Sequence, residues 1–410
     1  MNLINKKLNI DNLILIFFSI YPIAILIGNY AINLFILVIG SFFFFKIMRK
    51  KRNLDINKKI FFLLSFFFIS LCINLFFTNN IYFSYQRVIK IFFIIFFVLS
   101  FDYLVKNYFQ NLKNIFKVWS IIFLIVIFDL IIEFLIGNNL LGQTSIMPGR
   151  LGSFTGEESV IGHFFFGFCL IFLSYIYKKR QDIKLNIFIA ISLIIISFII
   201  GERANFIKTL LAIIIYIFLV YRVSLKIKFF SFILIICLIY PIFSSLNSQF
   251  KWRYTQDIKL MLNENGLKNY LDNSNYGAHR NVAKEIFLDN PIFGVGIKNF
   301  RFESGNEKYN DLDHKYNDRR ISNHPHELYY EFLSETGIFG LVCFLIFIIS
   351  SILISLKNYI KEKNIYQLSG IIFICISILP IIPTGAFLST MTSSVFWINY
   401  AIMIGYNKIK

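Results

Sequence analysis

The chain has 410 residues, of which 57% are hydrophobic, with a mean hydropathy of +0.66 and a formal net charge of +18. This composition excludes an ordinary soluble domain, in which only about half of the residues are apolar. The Lys and Arg residues lie in short segments between apolar runs. They therefore favour the positive-inside bias of a membrane protein over a nucleic-acid-binding surface.

Apolar runs long enough to cross a bilayer recur throughout the sequence. They predict an all-α integral membrane protein with about 12 transmembrane helices in one domain, residues 1–410. Lys6 and Lys7 precede the first run and no small-residue cleavage site follows it, so we interpret it as a span and not as a removed signal peptide. The predicted spans are 12–28, 31–48, 60–77, 84–105, 115–137, 159–177, 185–200, 203–221, 229–246, 327–356, 367–382 and 386–406.

Basic residues are concentrated in alternate connections between these spans. The positive-inside rule therefore predicts that both termini are cytoplasmic. It also places the long polar segment 247–326, between spans 9 and 10, outside the membrane as a large loop or cap. The basic connections contain Lys46, Arg49, Lys50, Lys51, Arg52, Lys58 and Lys59; Lys178, Lys179, Arg180 and Lys184; Arg222, Lys226 and Lys228; and Lys357, Lys361 and Lys363, with Lys408 and Lys410 at the end.

The polar segment has a pattern of its own. Ala278 to Phe287 has helical spacing, with Val282, Ile286 and Phe287 on one side, and Asn290-Pro291 stops it. We therefore expect a small folded cap rather than a linker.

The five cysteines all fall inside apolar runs, and none has metal-ligand spacing. They predict buried apolar residues rather than disulfides or a cysteine metal site. No HExxH motif is present. We expect neither a metal nor a cofactor.

Cationic side chains from separate segments converge on the predicted external side. Arg87 and Lys90 share one helix face at the start of span 4, Arg150 precedes span 6, Arg203 opens span 8, and Arg280 begins the cap helix. The planar, always charged guanidinium suits a phosphate or pyrophosphate. A bland alternative is that Arg87 and Lys90 only reach toward lipid headgroups.

Three further charged residues lie within predicted spans. Lys208 is interpreted as a structural ion-pair partner in preference to a ligand. Asp129 and Glu133, four residues apart in span 5, are its candidate partners or a proton path, and the structural interpretation is preferred.

His324 and His326 flank Pro325 where the chain re-enters the membrane. A histidine at a water-accessible edge is a good general base, and we favour His326 for this role and a structural role for His324. A metal shared by the two would need further ligands. His163, on the apolar face of span 6, predicts an interhelical hydrogen bond.

Three segments resemble the O-antigen ligase and polymerase superfamily of bacterial membrane glycosyltransferases. They are the turn Gly201-Glu202-Arg203-Ala204-Asn205; the segment from His279-Arg280 through Asn290-Pro291-Ile292-Phe293-Gly294-Val295-Gly296 to Phe300; and His324-Pro325-His326-Glu327-Leu328-Tyr329 with Leu333 to Gly340. Arg150 to Phe154 also resembles the family's loop before span 6. Two positions depart from the family pattern, since Glu327 stands where the family usually has Asn and Glu202-Arg203-Ala204 replaces small-Arg-Gly.

The resemblance implies an inverting, metal-independent transfer of a glycan from undecaprenyl pyrophosphate to a sugar hydroxyl in cell-surface polysaccharide biosynthesis. It implies that Arg203 and Arg280 hold the pyrophosphate and that His326 takes the acceptor proton. The acceptor would be lipid A–core for a ligase or another repeat unit for a polymerase. The site would face the periplasm from the bacterial cytoplasmic membrane. The substrate-binding candidates are Arg150, Arg87, Lys90, His324, Glu327 and Glu335.

Glu335 has two interpretations, since it could orient His326 or Arg280 or only shape a bent helix. The partners expected are the lipid-linked donor, the glycan acceptor and membrane lipids, but no nucleic acid. Besides a polymerase, the alternatives are a lipid-linked glycan transporter or flippase and a non-catalytic anchoring protein.

Overall fold

The computed structural model describes residues 9–49, 56–158, 160–221, 237, 239–246, 248–262 and 266–407. Every regular element within these ranges is helical, so the predicted all-α class is confirmed. The membrane helices before the cap are α1 (Ile10–Ile27), α2 (Asn29–Arg49), α3 (Lys58–Asn74), α4 (Ile81–Asn107), α5 (Phe109–Ile136), α6 (Ile161–Lys179), α7 (Ile183–Ile199) and α8 (Arg203–Val220). The later helices are α9 (Ser248–Leu262), α10 (Gly266–Asp272), α11 (Asn275–Asp289), α12 (Phe300–Glu303), α13 (Leu328–Glu362), α14 (Ile365–Ser377) and α15 (Thr390–Gly405).

Eight of the described helices are long and apolar enough to cross a membrane, namely α1 to α6, α8 and α13, where α3 is counted with the 3₁₀ turn that extends it to Phe77. Helices α7 and α14 are also apolar but shorter. The chain is thus a multi-pass membrane protein, although the predicted number of twelve spans is not confirmed. Half of predicted span 9 (229–246) lies outside the described residues, as do Lys6, Lys7, Lys50, Lys51, Arg52, Arg222, Lys226, Lys228, Lys408 and Lys410.

The bundle has a dense aromatic interior and an apolar exterior. Phe67 of α3 stacks on Phe347 of α13 with ring centroids 5.0 Å apart, beside the buried Trp397 of α15. Large side chains on other faces point outward, including Phe62, which is 70% exposed. Exposed aromatic rings on helices of this length are expected where the surroundings are lipid.

The predicted boundaries of the last two spans, 367–382 and 386–406, are wrong. Helix α14 ends at Ser377 and α15 begins only at Thr390. Pro380 and Pro383 disfavour helical conformation in the residues before them and cannot donate the required hydrogen bonds. The result is a loop over residues 378–389 that reaches the histidines described below.

The cap contains the helix expected over 278–287, which runs as α11 from Asn275 to Asp289. It buries Val282 and Ile286 in a small apolar core of its own, together with Val295 and Phe300. Helix α11 also packs against α13, so the cap rests on the membrane bundle.

Helix α13 contains a break that receives the cap. Gly337 has φ 65° and ψ −169°, a conformation available almost only to glycine, and it interrupts the helical hydrogen bonds. The backbone N–H groups of Val295 and Gly296 donate to the carbonyls of Ser334 and Glu335 at 2.9 and 2.8 Å. On the other side of the break, Ile338 and Phe339 donate to the carbonyls of Pro291 and Ile292. The groups freed by the break are thereby satisfied by the cap.

We expect the Gly337→Ala variant to be destabilised by about 1–3 kcal/mol from backbone strain alone. An added Cβ would also lie 2.2 Å from the Ile292 carbonyl oxygen, which belongs to the cap connection. The measurement is the apparent melting temperature of the detergent-solubilised protein, together with the rate at which a protease cuts the cap.

The matched control is Gly305→Ala, since Gly305 is in the cap and the nearest atom to an added Cβ there is 3.6 Å away. Equal melting temperatures for the two variants would show that the break at Gly337 does not hold the cap.

Candidate active site

Two tight turns bring Arg150 against the start of α8. Gly201 has φ +79°, and an added Cβ would lie 2.1 Å from the Gly149 carbonyl oxygen, so only glycine allows this approach. The Arg150 guanidinium then reaches the Glu202 carboxylate at 3.3 Å. Arg150, predicted from a separate loop, is thus paired with the buried carboxylate of the residue that precedes Arg203.

The carboxylates of α5 hold this loop in place. Glu133 accepts hydrogen bonds from the backbone N–H groups of Gly152 and Ser153 at 2.9 and 2.7 Å. Asp129 accepts from the Leu140 N–H at 2.7 Å and from the Ser153 hydroxyl at 2.5 Å. These contacts support the structural interpretation of both residues.

Lys208 has other partners. Its ammonium donates to the Pro383 carbonyl at 3.3 Å and interacts electrostatically with Glu202. The candidate pairing with Asp129 and Glu133 is therefore not what the structure shows. Lys208 also lines a cavity of about 40 Å³ together with His163 and Thr384.

A third arginine, which the sequence did not single out, completes this group. Arg203 donates to the backbone carbonyl of Arg253 at 2.7 Å. Burial, followed by the charges of Arg150 and Arg203, lowers the pKa of Arg253. Helix α9 supplies it by packing Phe250 and Tyr254 on Phe198. We call Arg150, Arg203 and Arg253 the arginine group. The aromatic residues on either side of Arg253 in the sequence were the signal by which α9 and its arginine could have been found.

Histidines form the centre of the site. The rings of His324 and His326 are 3.9 Å apart between centroids, and His279 stacks on His326 at 5.1 Å. Tyr276 lies 5.2 Å from His326 and interacts electrostatically with Arg253. The histidines therefore adjoin the arginine group through Tyr276. The sequence did not predict the inclusion of His279 beside His326.

The loop over residues 378–389 anchors both histidines of the His-Pro-His segment. Thr384 donates its backbone N–H to the His326 carbonyl at 2.9 Å, and its own carbonyl lies 3.3 Å from Nε2 of His324. His326 has φ +58°, which is uncommon for a residue with a side chain. Its ring has no hydrogen-bond partner within the described part of the chain, so a nitrogen is available to a substrate.

Burial, and then the neighbouring His279, lowers the pKa of His326 to about 4. Burial likewise lowers the pKa values of His279 and His324. All three are therefore neutral near pH 7 and able to accept a proton.

Arg280 lies at the same centre, one residue after His279. Its guanidinium carbon is 5.1 Å from the Tyr330 ring centroid, and the Glu327 carboxylate interacts with it electrostatically. Glu327 also caps α13 by accepting from the Tyr330 N–H at 2.9 Å. Glutamate at this position, where the related pattern has Asn, is thus a helix cap beside the arginine.

A second group of cations lies beside His324. Lys298 interacts electrostatically with His324 and with Arg87 and Arg301, and Lys90 with Arg87 and Lys298. We call these four residues the Lys298 group. Their carboxylate neighbours are Glu331 and Glu335.

The predicted substrate-binding residues therefore do not form one set. Arg150 belongs to the arginine group, His324 and Glu327 to the centre, and Arg87, Lys90 and Glu335 to the Lys298 group. The Glu335 carboxylate interacts electrostatically with Lys298 and Arg301, and the suggestion that it orients His326 or Arg280 stays a prediction. Within the described residues, no cluster of three or more His, Cys, Asp or Glu side chains has the arrangement of a metal site.

Comparison with known proteins gives one match. Residues 188–345 match the family model described as O-antigen ligase. The matched segment runs from α7 to the first half of α13 and contains Arg203, Arg253, Arg280, His326 and Lys298. No curated protein matches the chain. The match covers less than half of the chain, and it supports membership of the O-antigen ligase superfamily.

Proposed function

We propose that this protein is an O-antigen ligase-type glycosyltransferase. It moves an oligo- or polysaccharide from undecaprenyl pyrophosphate to a sugar hydroxyl of lipid A–core, at the periplasmic face of the bacterial cytoplasmic membrane. The observation that carries the proposal is that the neutral His326 lies against Tyr276, which in turn interacts electrostatically with Arg253 of the arginine group. A proton acceptor beside cations is what transfer from a diphosphate requires.

The arginines serve the leaving group. As the sugar C1–O bond breaks, its electron pair goes to the diphosphate oxygen, and negative charge accumulates there. Arg203, Arg253 and Arg280 are fixed by contacts to a backbone carbonyl, a packed helix and an aromatic ring. Cations held in place before the reaction stabilise this charge without reorganisation.

His326 serves the acceptor. The hydroxyl oxygen attacks C1 from the face opposite the diphosphate, which inverts the configuration, while its proton passes to the free imidazole nitrogen. His324, held by Thr384, packs against the His326 ring and keeps it in place. The activated diphosphate bond supplies the driving force, so the reaction needs no nucleotide, and we propose that it needs no metal.

The function is tested with the purified protein, an undecaprenyl-diphosphate glycan and lipid A–core, in the presence of EDTA. The expected product is lipid A–core bearing the glycan. A product in which repeat units have been joined on the undecaprenyl carrier would instead identify a polymerase, and absence of any transfer to either acceptor would refute the proposal.

We expect His326→Ala to reduce transfer by on the order of 10²–10⁴-fold, since the acceptor hydroxyl loses its base. The measurement is the initial rate with the protein folded, as judged by size-exclusion chromatography. His314→Gln is the control, because His314 contacts the Leu271 carbonyl and the Tyr316 N–H within the cap. Normal glycan transfer by His326→Ala would remove the histidine from the mechanism.

Arg280→Lys is expected to lower kcat/KM by on the order of 10²-fold, because a point charge replaces a planar fork that can bind two oxygens. The matched control is Lys284→Arg, one turn further along α11, where the side chain is exposed. If the lysine variant worked nearly as well as the wild type, Arg280 would supply only a general positive charge.

The pH profile follows from the low pKa of His326. A base works when deprotonated, so activity is lost as the pH falls through its pKa. With a pKa of about 4, kcat/KM should change by less than about twofold from pH 7.5 to 5.5, where an ordinary histidine would be about nine-tenths protonated. A tenfold loss across that range, with the protein still folded, would show that the base titrates as an exposed histidine.

A further inference from the structure

The Lys298 group has no part in the reaction described so far, yet it is built from two distant parts of the chain. Arg87 and Lys90 are three residues apart on one face of α4, while Lys298 and Arg301 come from the cap segment that follows the α13 contact. Arg87 also reaches the hydroxyl of Thr390, in α15, at 3.5 Å. The group thus lies where the cap meets α4 and α15.

Its positive charge is only partly matched. Four cations face two carboxylates, and one of these, Glu331, already accepts hydrogen bonds from the backbone N–H groups of Phe387 and Leu388 at 2.8 and 3.4 Å. The Lys90 ammonium is buried and makes no hydrogen bond to any described residue. Nε of Arg301 is likewise buried and makes no hydrogen bond to any described residue. A buried charged donor without an acceptor is unfavourable, and an anionic ligand would satisfy it.

The backbone around Lys298 is held in a strained form. Lys298 has φ +66° and is only 3% exposed. Its neighbours are fixed to the first turn of α4 and to the turn before that helix, because Ser84 donates to the Ile297 carbonyl at 2.7 Å and the Asn299 amide donates to the Thr78 hydroxyl at 2.7 Å. A strained residue that its surroundings determine so fully is typical of a functional position.

The group also has a defined place relative to the histidines. Ring contacts run from Tyr276 to His326 and on to His324. Electrostatic interactions extend this row to Arg253 at the Tyr276 end and to Lys298 at the His324 end. The arginine group and the Lys298 group therefore lie at the two ends of this row. A sugar that reacts beside His326 would have a cationic site on each side.

We infer that the Lys298 group binds a phosphate or diphosphate carried by the acceptor, so that the enzyme holds two phosphorylated lipids at once. This inference rests on the proposed glycosyl transfer. Arginine forks and lysine ammonium groups are the side chains that recognise phosphate oxygens. The phosphate could belong to lipid A–core, or it could be the diphosphate of a second lipid-linked glycan.

The test compares acceptors in the purified full-length protein. Lys90→Met removes the unpaired charge while keeping a long apolar side chain, and Arg301→Gln removes a charge in the cap. Each should raise KM for the phosphorylated acceptor by about 10- to 100-fold, the effect expected for a lost charge-assisted hydrogen bond. KM for the donor, and the slow transfer of its glycan to water, should stay unchanged.

Four acceptors identify the source of the phosphate: lipid A–core, the same glycolipid after phosphatase treatment, an undecaprenyl-diphosphate repeat unit, and the free repeat unit without its lipid diphosphate. In the wild type, the natural acceptor should have a lower KM than the same acceptor without its phosphate. In both variants, this difference in KM should be lost for the natural acceptor. Arg301→Lys keeps the positive charge, so its KM for the phosphorylated acceptor should lie between those of the wild type and Arg301→Gln. Lys284→Gln is the control for charge loss in the exposed cap.

Two results would separate this inference from the proposed function. If the wild type neither transfers the glycan nor hydrolyses the donor, the proposed function fails. If the wild type transfers the glycan but the variants raise the donor KM, or use phosphorylated and dephosphorylated acceptors as the wild type does, the second anion site is wrong and the transferase stands.

Discussion

Hydrogen bonds between residues 291–296 and the break in α13 join the cap to the membrane helices, and the candidate site depends on them. They form because Gly337 adopts a conformation that frees backbone groups on both sides. The cap is thereby placed against α13, so that Arg280 on α11 adjoins Glu327 at the helix start. Lys298 follows two residues after this contact in the chain, so the contact also positions Lys298. One glycine in a 35-residue helix thus positions groups that are far apart in the sequence.

The electrostatics of the site combine cations that are at least partly buried with neutral histidines. Burial lowers the pKa values of Arg253, Lys298 and the three histidines, and neighbouring cations add to this for Arg253 and Lys298. Such an arrangement is unfavourable for folding alone, and replacing a buried charge by an apolar residue is often stabilising. Retained charges at the membrane edge are therefore better explained by an anionic ligand than by the stability of the fold.

The sequence predicted the all-α class and a multi-pass membrane protein because bilayer thickness determines the length of an apolar run, but the number of twelve spans is not confirmed. It failed at residues 378–389, where two prolines end α14 inside an apolar stretch. Arg203, Arg280 and His326 could be predicted because they lie in recognisable motifs. Arg253 and Lys298 could not, since α9 has no motif and the position of Lys298 arises from close backbone approaches between the cap and α4. The division of the cations into two groups depends on the direction of the chain on either side of Gly337. That direction cannot be predicted from a pattern of residues along the chain.

Thr384 joins the loop between α14 and α15 to His324 and His326 through its backbone. Together with the attachment at Gly337, this ties the cap to the bundle at two separate places. A cover tied at two places has less freedom to swing open than a lid hinged on one side. Under the proposed function, we expect the lipid-linked substrates to enter sideways from the bilayer, between helices, with their hydrocarbon tails left in the membrane. The same route would let a long sugar chain extend into water while only its anchored end is enclosed.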